Sequence, residues 1–315
     1  MSELHVVLGT GAVGRAIMDE LVQRGKQVRM VNRSGEMAGV PQMVEVAGSN
    51  LYDPASVRKA TEEARVVYQS AAPAYNEWPE KFPLLQGAII EGLTGSGAKL
   101  VIVENLYMLG ATNGTPMSED MPHNPHTRKG KTRAEMNKAA LAAHQDGKVT
   151  LAIGRGSDYY GPWGLDTSMG SRQLYPLLEG NPVQIIGRTD IPHTYTYLKD
   201  FGRALVILGE RENANGQVWN IPNDQPRISQ GELLEMFAAK AGVDLRIRRV
   251  GRSMLRLAGL FSPPAREMVE KLYEFEEPFI LDSSKFEHTF GIEATPLETG
   301  IGETIEWFKT HPKTD

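Results

Sequence analysis

Short apolar runs alternate with segments of helical periodicity along the first hundred residues. The run over residues 4–8 is followed by apolar positions at helical spacing until Gly25, which predicts a strand and then a helix. Four more strands are predicted over residues 27–31, 43–46, 65–69 and 99–103. Strands that alternate with helices predict an α/β fold, a doubly wound parallel sheet whose ligands bind at its carboxyl edge.

The turn between the first strand and the first helix reads Gly-Thr-Gly-Ala-Val-Gly. The first glycine permits the tight turn, the second lets backbone N–H groups approach a pyrophosphate, and the third lets the helix pack on the strand. This order predicts a Rossmann-type dinucleotide site, with a merely structural turn as the alternative. The residues of the predicted site are Gly9, Thr10, Gly11, Ala12, Val13 and Gly14.

The residues after the second strand indicate which dinucleotide binds. They are Asn32, Arg33 and Ser34, where an NAD site usually has an aspartate or glutamate. An acidic side chain would repel a 2′-phosphate, whereas a guanidinium can form charge-assisted hydrogen bonds to it. We therefore predict NADP(H), the alternative being that Arg33 is a solvated side chain in a surface turn.

Two further loops are expected to contact the cofactor. One follows the third strand and contains Asn50 and Leu51, and the other follows the fourth strand and contains Ser70, Ala71 and Ala72. Small residues in the second loop would let the chain pass under a bound cofactor, although small residues are also common in turns.

Composition excludes several classes of protein. Of the 315 residues, 41% are hydrophobic and 23% are charged, as in globular proteins, and the net charge of −5 gives no reason to expect nucleic acid or a membrane as partner. The absence of cysteine excludes disulfides and thiolate chemistry. We predict no metal site, because His123 and His126 have no carboxylate partner that the sequence identifies. No signal segment is evident, so we expect a cytoplasmic protein.

Three later stretches resemble the extended short-chain dehydrogenase/reductases, an NAD(P)-dependent group that includes epimerases and dehydratases. Residues 155–162, Arg-Gly-Ser-Asp-Tyr-Tyr-Gly-Pro, are similar to a segment whose backbone contacts the nicotinamide in that family. Residues 193–200 resemble the return from the substrate lobe, and residues 282–291 resemble the family's ending. The resemblance implies cofactor contacts at Gly156, Asp158 and Tyr159, and a homodimer.

The resemblance also implies catalytic positions, two of which depart from the family pattern. Lys131 matches the lysine that binds the nicotinamide ribose. Thr127 stands where the family has its catalytic tyrosine, and Asn105 stands where it has a serine. An amide can donate to a developing oxyanion, but an aliphatic hydroxyl cannot replace a phenol, whose reference pKa is about 10.

Another side chain is therefore expected to carry the proton. His126 is next to the vacant position, Tyr107 lies just beyond the fifth strand, and Tyr75 lies after the fourth. For each of them, packing or surface exposure is the competing explanation.

The resemblance implies two interleaved lobes. Residues 1–155 with about 194–222 would form the NADP-binding Rossmann domain, and about 156–193 with 223–315 a smaller, mostly helical substrate-binding lobe. Ser229 and Glu232 predict a capped helix that ends at Gly242. Five arginines between 246 and 256 either hold a substrate diphosphate or form an exposed face, and the apolar series over 254–275 either lines a pocket or packs a core.

Taken together, these features predict an NADP(H)-dependent oxidoreductase that reduces a carbonyl or an activated alkene of a small-molecule substrate. Two alternatives remain. One is a nucleotide-sugar epimerase or dehydratase. The other is a non-catalytic NADP(H)-binding sensor, which the missing tyrosine would permit.

Overall fold

The computed structural model describes residues 3–259 and 263–313. Its strands, in chain order, are β1 (Leu4–Leu8), β2 (Gln27–Asn32), β3 (Glu45–Gly48), β4 (Ala64–Gln69), β5 (Lys99–Glu104), β6 (Thr150–Arg155), β7 (Asp158–Tyr160), β8 (Val183–Ile186), β9 (Tyr195–Tyr197), β10 (Val218–Asn220) and β11 (Ile247–Val250).

The α-helices of the described residues follow the same order. They are α1 (Ala12–Gln23), α2 (Pro54–Ala60), α3 (Trp78–Leu93), α4 (Arg128–Gln145), α5 (Ser171–Leu178), α6 (Leu198–Glu210), α7 (Gln230–Ala241), α8 (Arg252–Gly259), α9 (Pro263–Lys271), α10 (Ser284–Phe290) and α11 (Leu297–Thr310).

Seven strands form one parallel sheet in the order β10-β6-β5-β4-β1-β2-β3. The order reverses between β1 and β4, so the chain leaves these two neighbouring strands in opposite directions, and a crevice is expected at their carboxyl ends. The predicted doubly wound Rossmann sheet is confirmed. The strand predicted over 43–46 is displaced and begins at Glu45.

The chain divides into two compact units, each built from three segments. Unit 1 comprises residues 1–108, 128–156 and 201–221, and unit 2 comprises residues 109–127, 157–200 and 222–315. The predicted Rossmann segments, 1–155 and about 194–222, overlap unit 1, whereas residues 109–127 and about 194–200 fall in unit 2. The two units are of similar length.

Unit 1 has its core between the sheet and the flanking helices. Apolar side chains of β1, β4, β5 and β6 are fully buried and pack against α3 and α4, with Ile89 and Met136 among the buried helix residues. Sheet residues buried on both faces produce the near-continuous apolar strands of the sequence. This packing fixes the carboxyl edge of the sheet, where the predicted site lies.

Unit 2 contains two pairs of parallel strands and most of the C-terminal helices. β7 pairs with β9, and β8 pairs with β11. The predicted cap of α7 is confirmed, because the Ser229 hydroxyl accepts from the Glu232 N–H and the Glu232 carboxylate accepts from the Ser229 N–H. Gly242 ends that helix at a φ of 75°. Within the described residues, no helix is both long and apolar enough to cross a bilayer.

Candidate active site

The glycine turn connects β1 to α1 at the carboxyl edge of the sheet. Gly9 has a φ of 114°, a value that favours glycine, and its N–H donates to the carbonyl of Val31 at 2.9 Å. A methyl group on Gly14 would lie 2.1 Å from the carbonyl oxygen of Gly9. These two glycines are therefore required by packing within the protein itself.

Gly11 is different, because nothing lies within 4 Å of the position that a methyl group would occupy there. It is exposed and stands immediately before the first residue of α1. An exposed glycine at the amino end of a buried helix offers open backbone N–H groups to an anion. The turn thus fits the pyrophosphate of a dinucleotide.

The loop after β2 is organised by one side chain. The Asn32 amide donates to the carbonyl of Glu36 at 2.7 Å and to the Thr10 hydroxyl at 3.4 Å, and its oxygen accepts from the Gly35 N–H at 2.7 Å and from the Ser34 hydroxyl at 3.2 Å. An aspartate here would lack the two N–H donors. Asn32 therefore folds the loop that presents the next residue.

Arg33 is exposed on this loop, within electrostatic reach of Lys81. The pKa of Lys81 is raised, chiefly by its hydrogen bond to Glu77, while Arg33 acts in the opposite direction. Arg15 ties the first turn of α1 to the same loop by donating to the carbonyl of Ala38 at 2.9 Å. The arrangement places cationic side chains beside the edge of the glycine turn.

The carboxyl ends of β4 and β5 bring two predicted candidates together. The hydroxyl oxygens of Tyr75 and Tyr107 are 3.4 Å apart. The Asn105 side-chain oxygen accepts from the Tyr107 N–H at 3.3 Å, so the amide nitrogen of Asn105 is the atom left to donate to a substrate oxygen. Trp78 packs edge-on against Tyr75, with ring centroids 5.0 Å apart.

Helix α4 buries two charged residues to which the sequence analysis gave no role. Lys129 and Arg133 are 2% and 1% exposed, whereas Lys131 is exposed. Two residues on a helix correspond to a rotation of about 200°, so Lys131 lies on the face turned away from the sheet. Its predicted role in binding the nicotinamide ribose stays a prediction. The Lys129 ammonium lies 4.2 Å from the ring centroid of Tyr75.

A buried ionic network links α4 to the ends of β5 and β6. The Arg155 Nε atom donates to the Glu104 carboxylate at 3.1 Å, and the Asn137 amide donates to both of its oxygens at 3.2 and 3.0 Å. Arg133 donates to the carbonyl of Val103 at 2.9 Å, and its guanidinium lies 4.0 Å from the Glu104 carboxylate. The network fixes the buried face of α4 against the sheet.

The remaining residues of unit 1 that were predicted to contact the cofactor are partly exposed and partly buried. Asn50 is exposed and its side-chain oxygen accepts from the Tyr52 N–H at 3.2 Å, whereas the Leu51 side chain belongs to the core. The Ser70 hydroxyl donates to the carbonyls of Leu8 and Gly9, and a methyl group on Gly9 would meet Ala71. Ala72 is exposed, and the Gly156 N–H donates to the Glu104 carbonyl at 3.1 Å.

The other candidates belong to unit 2. Thr127 is buried, and His126 is exposed with its ring 4.5 Å from that of Tyr273. Tyr159 is half-buried in β7. Asp158, whose contact with the cofactor stays a prediction, takes part in an ionic cluster.

That cluster joins β7 to the end of α9. The Asp158 carboxylate lies 3.0 Å from the His193 Nε2 atom and 3.6 Å from the Lys271 ammonium, which also lies 3.4 Å from the Glu274 carboxylate. Burial raises the pKa of Asp158, but Lys271 and His193 outweigh it and bring the pKa down to about 2. Burial raises the pKa of Glu274 to about 8. Asp158 is thus held by unit 2 itself.

Three of the five arginines between residues 246 and 256 contact other residues of unit 2. Arg246 donates to the carbonyl of Gly180, Arg249 to the Thr189 hydroxyl, and Arg252 pairs with Glu276. Arg248 is exposed in β11, and the side chain of Arg256 lies outside the described residues. Of the apolar series, Met254 and Leu257 are exposed and Leu255, Leu272 and Phe275 are buried, while residues 260–262 are not described. No metal-binding group of three side chains occurs among the described residues.

A comparison of this chain with known protein families agrees with these features. They are the glycine turn at the reversal of strand order, the loops around it and the interleaved second unit. The model of the NAD dependent epimerase/dehydratase family matches residues 6–222. The chain belongs to this family. The glycine turn fits the pyrophosphate of the nicotinamide cofactor that this family binds.

Curated relatives are distant. A dTDP-glucose 4,6-dehydratase of Streptomyces griseus is 23% identical over 71% of this chain and 62% of its own length. A trifunctional UDP-glucose 4,6-dehydratase, epimerase and reductase of Arabidopsis thaliana is 21% identical over 62% of this chain and 26% of its own length. The chain therefore matches less than two thirds of the length of either relative.

Solved structures show the same fold over nearly the whole chain. The dTDP-glucose 4,6-dehydratase of Bacillus anthracis, in complex with NAD, has a TM-score of 0.81 at 16% identity and covers 98% of this chain and 97% of its own. The UDP-glucuronic acid 4-epimerase of Bacillus cereus, in complex with UDP-glucuronic acid and NAD, has a TM-score of 0.79 at 17% identity and covers 98% and 100%.

Sequence reasoning missed the buried residues of α4. Its apolar positions Met136, Ala140 and Ala143 define the core face, and extending that face back by helical spacing leads to Arg133 and Lys129. This signal was available in the sequence. The four basic residues among positions 128–133 obscured it, because a lysine or arginine is normally assigned to solvent.

Proposed function

We propose that this protein is a nicotinamide-dependent enzyme of the epimerase/dehydratase type that acts on a sugar nucleotide. The observation that carries the proposal is the exposed Gly11 at the reversal of strand order, beside loops that bear the phenols of Tyr75 and Tyr107. The family, and relatives described as dehydratases and epimerases of nucleotide sugars, support the same conclusion. A cytoplasmic homodimer stays a prediction.

The residues of unit 1 would hold the coenzyme in a defined orientation. The amino end of α1 and the N–H groups near Gly11 would bind the pyrophosphate, because they are unpaired helix donors at a positive dipole end. Arg33 and Ser34 would bind the adenosine ribose. A bound nicotinamide supplies or accepts a hydride. The Asn105 amide nitrogen would donate to the reacting oxygen, where charge develops.

The coenzyme that we propose is NADP(H). Asn32, Arg33 and Ser34 provide donors and a cation but no carboxylate at the position that usually binds a free 2′-hydroxyl. This choice also favours a second candidate function, the net reduction of a carbonyl or an activated alkene of a small molecule. An epimerase regenerates its coenzyme in each cycle, whereas a reductase consumes NADPH.

Titration of the purified protein with NADPH and NADH tests the coenzyme assignment. We expect tighter binding of NADPH, and Arg33→Ser should weaken it by about 10- to 100-fold, since a hydrogen bond to a charged group contributes about 1.5–3 kcal/mol. NADH binding should change little. Arg65→Ser is the matched control, because exposed Arg65 stands near the amino end of β4, at the opposite edge of the sheet. Equal or tighter binding of NADH would overturn the NADP(H) assignment.

Incubation with sugar nucleotides separates the candidate functions. Epimerisation or loss of water without net coenzyme consumption supports the first, and oxidation of NADPH that requires an added carbonyl or enone supports the second. Binding of coenzyme with neither reaction would favour a non-catalytic sensor. Failure to bind either coenzyme would refute all three.

A further inference from the structure

The two phenols at the carboxyl edge of the sheet and the buried lysine of α4 form a cluster that the sequence did not predict as a unit. Tyr75 follows β4 and Tyr107 follows β5, and these strands are neighbours. Their loops therefore meet at one edge, beside the loop that follows β1. The two hydroxyl oxygens are 3.4 Å apart, which is long for a hydrogen bond but close enough to shorten when a substrate binds.

Lys129 supplies the charge of this cluster. Its ammonium lies 4.2 Å from the ring centroid of Tyr75, and its side chain is 2% exposed. An ammonium in a poorly hydrated position stabilises a nearby phenolate more strongly than it would in water. Trp78 holds Tyr75 from another side, so the ring and the cation keep a fixed relation.

We propose that Tyr107 is the catalytic acid–base residue, that Tyr75 relays its proton, and that Lys129 is the positioning residue that stabilises the Tyr75 phenolate. The inference rests on the proposed hydride-transfer function. Tyr107 takes the terminal role because its backbone N–H is bonded to Asn105, so the phenol and the oxyanion donor are held in one turn. Tyr75 takes the relay role because its ring contacts both Trp78 and the Lys129 ammonium.

The proposed steps balance. When a carbonyl accepts a hydride at carbon from a reduced nicotinamide coenzyme, which is thereby oxidised, the electron pair of the carbonyl π bond moves to oxygen, and Tyr107 gives that oxygen its hydroxyl proton. The Tyr107 phenolate then takes the proton of Tyr75, and the negative charge rests on Tyr75 beside Lys129. Solvent restores the proton of Tyr75. In the oxidation of an alcohol, each proton moves in the reverse direction.

A spectroscopic test needs neither substrate nor coenzyme. Ultraviolet absorbance of tyrosinate in the purified protein should show one tyrosine that ionises before the others, and Tyr75→Phe should remove this first step. Lys129→Met should move it to higher pH, whereas Lys129→Arg, which keeps the charge, should retain it. Lys138→Met on the exposed face of α4 and Tyr52→Phe at the surface are matched controls and should leave it in place.

Kinetics give the second readout once a reaction is found. Tyr107→Phe should lower kcat by about 100- to 10,000-fold, the usual contribution of general acid–base catalysis, with little change in coenzyme affinity. Lys129→Met should shift the pH profile of kcat to higher pH, and Lys129→Arg should restore it. If Tyr75→Phe left tyrosine ionisation unaffected, or if Lys138→Met shifted it as much as Lys129→Met does, the relay would be overturned. If the unaltered protein bound neither coenzyme, the proposed function itself would be overturned.

Discussion

At the scale of single residues, the glycine turn separates packing from ligand binding. A methyl group on Gly14 would overlap the Gly9 carbonyl, whereas one on Gly11 would meet nothing within 4 Å. We expect Gly14→Ala to lower the free energy of unfolding by about 3 kcal/mol, because the helix cannot approach the strand. Gly11→Ala should leave that free energy nearly unchanged and weaken coenzyme binding. Urea denaturation and coenzyme titration of the same two variants measure both effects.

The opposite pattern would contradict this interpretation of the turn. If Gly11→Ala bound NADPH and NADH as tightly as the unaltered protein, its exposed backbone would not be the anion site. If Gly14→Ala were fully stable, the contact between α1 and β1 would not require glycine.

The sequence predicts the glycines of the turn well, but it predicts buried charged residues poorly. The glycine spacing and the lack of a carboxylate after β2 are local signals, and they need no knowledge of the rest of the fold. The contacts of Asp158 with His193 and Lys271 join positions distant in the chain, and no local pattern encodes them. The cofactor contact of Asp158 therefore stays a prediction, and the sequence did not indicate the partners of this carboxylate in unit 2.

At the scale of elements, α4 shows why the orientation of a helix is hard to predict from its sequence. The resemblance identified Lys131 in this segment, but charged residues dominate the first two turns of the helix and blur its apolar stripe. The buried face is set by Glu104 at the end of β5, whose carboxylate receives Asn137 and Arg155. Such a partner becomes visible only when the strand and the helix are placed side by side.

This network gives a prediction for the element. Glu104→Gln should lower the free energy of unfolding by about 3 kcal/mol, because removal of the carboxylate leaves the buried Arg155 guanidinium without the counter-charge it now contacts. Glu135→Gln, on the exposed face of α4, is the matched control and should change it by less than about 0.5 kcal/mol. Urea denaturation measures both. Equal effects of the two substitutions would show that the buried pair does not stabilise the helix against the sheet.

At the scale of the whole molecule, the sequence predicted interleaved segments, but not where each ends. Residues 109–127 lie between β5 and α4 in the chain and carry no strong periodicity, yet they join unit 2. Met117 forms a bridge with Leu281 there, more than 160 positions away. Contacts of such long range decide the boundaries, and they depend on the complete fold rather than on local sequence.

The two units differ in the buried groups that titrate. In unit 1, burial lowers the pKa of His5 to about 4, with Lys26 acting in the same direction and Glu210 and Glu3 opposing it. In unit 2, burial raises the pKa of Glu274 to about 8, against the opposing effect of Lys271 and with the support of Asp158. Burial thus disfavours protonation of His5 in folded unit 1 and deprotonation of Glu274 in folded unit 2.

The two shifts predict opposite pH dependence. As the pH falls from 6.5 to about 4, unfolded His5 binds a proton that the folded unit 1 does not, so unit 1 loses stability in acid. As the pH rises from 4.5 to about 8, unfolded Glu274 releases a proton that the folded unit 2 keeps, so unit 2 loses stability over that range. Hydrogen exchange of peptides from each unit, measured by mass spectrometry across this pH range, reports the two units separately.

Two variants make this prediction specific to its residues. His5→Gln can keep a hydrogen bond to the Tyr68 hydroxyl but does not titrate, so it should remove most of the acid-induced loss in unit 1. Glu274→Gln should flatten the dependence of unit 2, because no proton is released on unfolding. Each variant should leave the pH dependence of the other unit unchanged. If His5→Gln altered both units equally, the acid response would belong to cooperative unfolding of the whole chain rather than to one buried imidazole.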